Sequence, residues 1–251
     1  MIVNAKSLHA FTLDSRDGDI GQVKDFYFDD RYWAIRYLIA DTGSWLMDRQ
    51  VLISPYALGA IEKEAKKIAV DLTRTQIEGS PSLDTDKPVS RQYENDYYGY
   101  YGWPVYYGSP MMWGPYDYIE KNPEKWTRPA IAGKAWDPHL RSMRAVRGYH
   151  IHAADGEIGH IVDFLIDDQS WQIRYIVVTT RNWWPGKHIL IAIDWVDRVD
   201  WSDSQVFVSL TRDAIQQSPE YLGTSLPSRD YEQALHTHYR RPGYWTDAIK
   251  R

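Results

Sequence analysis

The chain has 251 residues, 43% of them hydrophobic and 25% charged, with a net charge of -5 at pH 7 and a pI near 5.9. That apolar share is enough for two compact cores, while the acidic balance argues against general nucleic-acid binding, which rests on Lys and Arg neutralising phosphates. The absence of cysteine excludes disulfides and thiolate metal sites. With no signal-peptide pattern at the start and no run of about 18 apolar residues, the expectation is a cytoplasmic protein without membrane insertion.

In chain order, Asp17-Gly18-Asp19-Ile20-Gly21 comes first. Gly18 and Gly21 predict a tight turn with positive φ leading into a strand. A phosphate-cradling loop would need a following Lys-Ser/Thr and a helix, and neither follows. Residues 20–28 and 33–41 then predict a hairpin, the second arm showing Ile35, Tyr37 and Ile39 at period two. With the turn placed at residues 29–32, Asp25 faces Arg36 across the hairpin, an opposite-charge pair that fixes register. Residues 50–53 and 67–72 predict further short strands. A short helix or turn over residues 73–77 is N-capped by Thr73 and stopped at Gly79-Ser80-Pro81. Strands this short and this close together point to a small barrel or sandwich, and closing the sheet removes its edges.

From residue 93 the chain becomes dense in Tyr and Trp, including Tyr97, Tyr98, Tyr100, Tyr101 and Trp103. Such residues offer large contact area at little entropic cost. The segment is therefore an arm packed within the chain or across a dimer, or else a mobile partner-binding stretch.

At residue 139 the pattern starts again. Asp155-Gly156-Glu157-Ile158-Gly159 repeats the first motif 138 positions on, and the offset holds through Asp163-Phe164, Asp167-Asp168, Trp171, Ile173-Arg174-Tyr175, Leu190-Ile191, Leu210-Thr211-Arg212 and Ser218-Pro219. Gly156 and Gly159 thus repeat the turn glycines, and Asp163 with Arg174 repeats the cross-strand pair. Even the arm is repeated, since Ser90-Arg91, Tyr93-Glu94 and Tyr101 return as Ser228-Arg229, Tyr231-Glu232 and Tyr239. The period is far longer than a solenoid repeat of roughly 20 to 50 residues and suits a small domain with a connecting arm. The division this implies is repeat 1 over residues 1–80, a linker arm over 81–138, repeat 2 over 139–220 and a C-terminal arm over 221–251.

The doubled motif, with its Trp-x-Ile-Arg-Tyr and closing Leu-Thr-Arg, resembles the PRC-barrel family. That family is named for the cytoplasmic domain of the photosynthetic reaction-centre H subunit and includes a domain of a ribosome maturation factor. The resemblance implies a mainly β fold of two tandem, mostly antiparallel small barrels with short helices and aromatic arms, serving as an assembly module without a catalytic centre. The H subunit's membrane helix and the maturation factor's N-terminal domain have no counterpart here, so neither function transfers on fold alone.

Candidate chemistry is sparse. His150 with His152, and His236 with His238, alternate at a spacing that permits metal binding, but the first repeat lacks them, and no metal or other cofactor is assigned. Adjacent acids such as Asp29-Asp30 point apart on a strand and make a poor catalytic dyad. No nucleophile elbow or phosphate-binding loop occurs. Trp183 and Trp184 read as a loop with aromatic tips and, with Tyr97, Tyr98, Tyr100, Tyr101 and Trp103, are the partner-contact candidates. The expectation is a non-enzymatic scaffold or adaptor for protein partners, with homodimerisation open and a place beside a reaction-centre type of membrane complex by family analogy. The alternative is a small-ligand or metal sensor using the inter-barrel cleft.

Overall fold

The structure is a computed structural model that describes residues 1–46, 49–81, 89–126, 139–180, 187–223 and 226–246. It is mainly β, with two seven-stranded sheets of the same strand order and a few short helices. The chain opens with a short strand, β1 (Ile2–Asn4), whose partner lies much later in the sequence.

One compact unit comprises Ser7–Arg144 and Asp168–Gln172. Its strands are β2 (Thr12–Ser15), β3 (Gly18–Asp29), β4 (Ala34–Asp41), β5 (Gln50–Ile53), β6 (Leu58–Glu62) and β7 (Lys67–Val70), in the order β5-β4-β3-β2-β7-β6. The β2–β7 contact is parallel, and the other neighbours are antiparallel. Because β3 is long, it pairs with β2 near its start, β4 along its length and β8 (Leu140–Ser142) at its end. Strand β8 runs into the one-turn helix α3 (Met143–Val146).

Strand β4 is buried from Ala34 through Ala40, so its period-two pattern described only one of two covered faces. A strand covered on both sides carries a near-continuous apolar run, and here Arg36 is the one charged residue within it. Helix α1 (Arg74–Glu78) is held by a capping box between Thr73 and Gln76, in which each side chain satisfies a backbone N–H of the other residue. Helix α2 (Arg91–Tyr101) starts at the Ser90 cap and ends where Gly102 turns left-handed at φ 73, a conformation glycine takes without steric cost.

The other unit comprises Met1–Lys6, Ala145–Asp167 and Ile173–Arg251. Its strands β9 (His150–Ala153), β10 (Gly156–Asp167), β11 (Ile173–Thr179), β12 (His188–Ala192), β13 (Val196–Asp200) and β14 (Gln205–Val208) follow the order β12-β11-β10-β9-β14-β13. Strand β1 completes this sheet by pairing Ile2, Val3 and Asn4 with Asp167, Ile166 and Leu165 of β10. Helices α4 (Arg212–Gln216) and α5 (Arg229–His238) follow.

Strand β8 is the repeat counterpart of β1, 138 positions on. Each therefore completes a sheet otherwise built from the other repeat. The linear boundaries at residues 1–80 and 139–220 are corrected accordingly: residues 1–6 group with the second repeat and 139–144 with the first. A three-residue strand carries too little pattern to specify its own partner, and the ladder is decided by the exposed edge it meets. In each sheet the hydrogen-bonded path runs from β5 to β6, or from β12 to β13.

Candidate functional site

The hairpin of the first unit sets the positions of its charged groups. The turn occupies residues 30–33, with Trp33 at φ 52, one residue later than its expected place. Asp29 then faces Ala34, and a bulge between Tyr27 and Phe28 puts Asp25 opposite Ile39. The expected Asp25–Arg36 pair is therefore not formed. Arg36 instead donates from Nε to Asp29 Oδ2 at 2.6 Å, with both side chains buried. Asp29 Oδ1 also accepts the backbone N–H groups of Arg31 and Tyr32, so one carboxylate both closes the turn and balances the arginine. The second unit repeats this, with Arg174 meeting Asp167, not Asp163, at 3.4 Å.

Asp25 and Asp163 have a different task. Asp25 accepts from Ser142 Oγ at 2.5 Å and from the Arg144 N–H at 3.1 Å, which fastens β8 to β3. Asp163 accepts the Lys6 N–H at 3.1 Å just after β1, and burial raises its carboxyl pKa above the usual aspartate value. The conserved spacing between repeats thus marks a strand anchor. Two copies of the same acid at the same offset were visible in the sequence, but the exchanged partner was not.

The aromatic arm is a packed element. In α2, Glu94 is fully buried and accepts from Tyr37 Oη at 2.7 Å and Tyr106 Oη at 2.6 Å. Burial first, and the Glu94 charge next, hold both phenols well above their ordinary pKa. Tyr97 donates to the Leu52 carbonyl at 2.9 Å, and its ring meets Tyr37 edge-on at 5.5 Å. The second unit rebuilds the same carboxylate bridge from Tyr175, Glu232 and Tyr244. Tyr97, Tyr98 and Trp103 are consequently core residues, which corrects their place among the partner-contact candidates: their rings fill the space between α2 and the sheet. Tyr101 is half-buried and stacks on Trp103 at 4.3 Å. Tyr100 remains 46% exposed, while Trp183 and Trp184 lie outside the described residues.

What the arm leaves open is a groove of about 1020 Å³. One wall is aromatic, from Tyr100, Tyr101, Trp103 and Trp126, and the other is the sheet surface at Gly59 and Ala69. Tyr56 forms part of the floor, and its buried hydroxyl has no hydrogen-bond partner among the described residues. Lys121 is not a free cation here, because its Nζ donates to the carbonyls of Pro55, Tyr56 and Leu58 at 2.7, 2.7 and 3.0 Å. The groove draws on residues scattered from Asp14 to Trp126, so no local motif announced it.

The four histidines are kept apart by their own contacts. His150 Nδ1 lies 2.8 Å from Glu157 Oε1, and His152 stacks on Phe207 at 5.2 Å. His236 is buried between Tyr175 Oη and the Pro242 carbonyl, and His238 Nε2 meets the Ala214 carbonyl at 2.7 Å. Among the described residues no group of three or more His, Cys, Asp or Glu is arranged to hold a metal ion. Burial lowers the His236 pKa below its usual 6.5, so the unfolded chain takes up this proton first as pH falls. The corresponding stability is present above about 6.5 and is lost as pH drops through the folded value. Urea midpoints across this range are expected to fall with acidification, and His236→Gln should flatten that slope.

Among the described residues, no helix is long and apolar enough to cross a membrane. No curated protein matches the chain. Residues 144–215, the stretch that forms β9 to β14, match the family model of the PRC-barrel domain, the family that the repeated motifs resemble.

Proposed function

We propose that this protein is a non-enzymatic scaffold or adaptor whose two repeats both act as PRC-barrel modules, assembling protein partners at the cytoplasmic periphery of a membrane complex of the reaction-centre type. A PRC-barrel domain is a protein-interaction module, and one lies at residues 144–215. The observation that carries the reading is the aromatic groove of the first unit. Tyr and Trp in a recess rimmed by polar groups are what a partner side chain needs for tight, dry contact.

The test compares partner capture by the intact protein with capture by Tyr100→Ala and Ala69→Arg. Both positions line the groove and are exposed, so the fold is retained, whereas excising the arm would remove the core residues Tyr97, Tyr98 and Trp113. Loss of an anchoring contact of about 2 kcal/mol weakens binding roughly 30-fold. A partner held equally well by all three proteins would exclude the groove, and stoichiometric capture by none of them would overturn the adaptor reading.

A further inference from the structure

The two repeats raise the same wall beside the sheet and furnish the surface below it differently. Tyr100 donates from Oη to the Gln76 carbonyl at 2.9 Å. Its counterpart 138 positions on, His238, meets the matching Ala214 carbonyl at 2.7 Å. Tyr101 likewise returns as Tyr239. In the second unit the sheet under this wall carries Phe207 on the half-exposed face of β14. Its ring stacks on His152 at 5.2 Å, and the Arg198 guanidinium covers it with its carbon 3.5 Å from the centroid. The first unit has Ala69, Asp14 and Ala60 at those three places. Ala60 and Ala69 are exposed, and Ala69 lines the open groove together with Asp14 and Gly59. The first unit thus lacks a ring and a guanidinium that the second unit supplies from its own chain.

The charge around Ala69 suits an incoming cation. Asp14 stands directly opposite Ala69 in the β2–β7 ladder. Asp14 and Asp19 share one lysine, Lys67, at 3.5 and 3.8 Å, and all three side chains reach solvent. Two carboxylates against one ammonium leave an acid in excess at this spot. Arg16 is already paired with Asp71 at 2.7 Å, and Lys121 directs its ammonium to three carbonyls.

We propose that the groove of the first unit binds a partner segment that presents an aromatic side chain beside an arginine, the ring lying on Ala69 and the guanidinium over it toward Asp14. The ring removes the exposed alanine surface from water inside an aromatic recess, where such side chains serve as anchors. A guanidinium stacks on a ring face and still keeps its edge for a carboxylate, so one cation satisfies both the ring and the surplus acid. This inference rests on the adaptor reading and names the chemistry of the partner that the groove takes.

The test titrates three blocked dipeptides, acetyl-Phe-Arg-amide, acetyl-Ala-Arg-amide and acetyl-Phe-Glu-amide, into the full chain at constant ionic strength. The readouts are the NMR amide signals of Gly59, Ala60 and Ala69. Saturable one-to-one shifts with a Kd of about 1 mM are expected for the first peptide, and binding about tenfold weaker for each of the others. Ala69→Phe installs from an exposed position the ring that the other repeat carries, and should abolish the shifts. Signals remote from the groove report that this variant folds. No saturation by the Phe-Arg peptide up to about 10 mM, equal binding of either control, or saturation that Ala69→Phe leaves intact would overturn the proposal. Any of these results together with partner capture that Tyr100→Ala still weakens would discard the ring and cation while leaving the groove as the partner site.

Discussion

Arg36→Met lowers the unfolding free energy by about 3 to 5 kcal/mol, because it strands the Asp29 carboxylate in a buried site without its cation. Asp29 is 4% exposed and Arg36 0%, so water cannot substitute for the missing partner. Adding Asp29→Asn to Arg36→Met removes the stranded charge and recovers most of the loss, giving a large coupling in a double-mutant cycle. The same cycle on Asp25 and Arg36 gives a coupling under about 0.5 kcal/mol, as for residues without shared contacts. The Arg174 and Asp167 pair, at 3.4 Å with side chains 19% and 18% exposed, is partly hydrated and couples by only about 1 kcal/mol. Urea midpoints at unchanged m-value supply all three numbers. A cycle on Asp29 and Arg36 with no coupling would mean that the rings of Tyr106 and Trp113, with centroids 4.1 and 4.5 Å from the guanidinium carbon, and not the carboxylate, hold the guanidinium in place.

These charge pairs show how much of the molecule was legible before its coordinates. The hairpins were readable because turn residues and period-two patterns are local signals, as was the Thr73 cap on α1. The register was not, since the turn falls one residue later than its expected place and bulges between Tyr27 and Phe28 and between Val23 and Asp25 displace the partners of Asp25 to Tyr27, and neither leaves a mark in composition. Helix α2 was hidden for another reason. Tyrosine has only middling helix propensity, so residues 91–101 carry the helix through Ser90, Gly102 and the burial of Tyr97 and Tyr98. Glu94 recurring as Glu232 was visible in the repeat, yet nothing in the spacing said that Tyr37 and Tyr106 would both turn their hydroxyls to it. The groove is assembled from strand, helix and loop residues far apart in the chain, which places it beyond any local reading.

The glycines separate two demands that look identical in sequence. Gly18 and Gly21 lie at φ 133 and 124, Gly156 and Gly159 at φ 141 and 145, so alanine at any of the four incurs backbone strain of about 1 to 3 kcal/mol. Only the second glycine of each motif also faces backbone at close range. A Cβ at Gly21 would overlap the Asp41 carbonyl oxygen and lie 2.8 Å from its carbon; one at Gly159 would overlap the Thr179 oxygen and lie 2.9 Å from that carbon. Those carbonyls belong to the far ends of β4 and β11, beside the ladder pairs Gln22–Asp41 and His160–Thr179, so they cannot move without opening the sheet. At Gly18 the nearest atom is Arg74 Nη1 at 3.7 Å, and at Gly156 it is Arg212 Cδ at 3.3 Å, and both side chains can swing aside. Gly21→Ala and Gly159→Ala are therefore expected to cost about 4 kcal/mol or more, in the range reserved for severe core lesions. Gly18→Ala and Gly156→Ala should stay within the strain term alone. Equal losses at Gly18 and Gly21 in urea melts would mean that β4 yields easily at Asp41 and that the motif's second glycine, like its first, answers only to the turn.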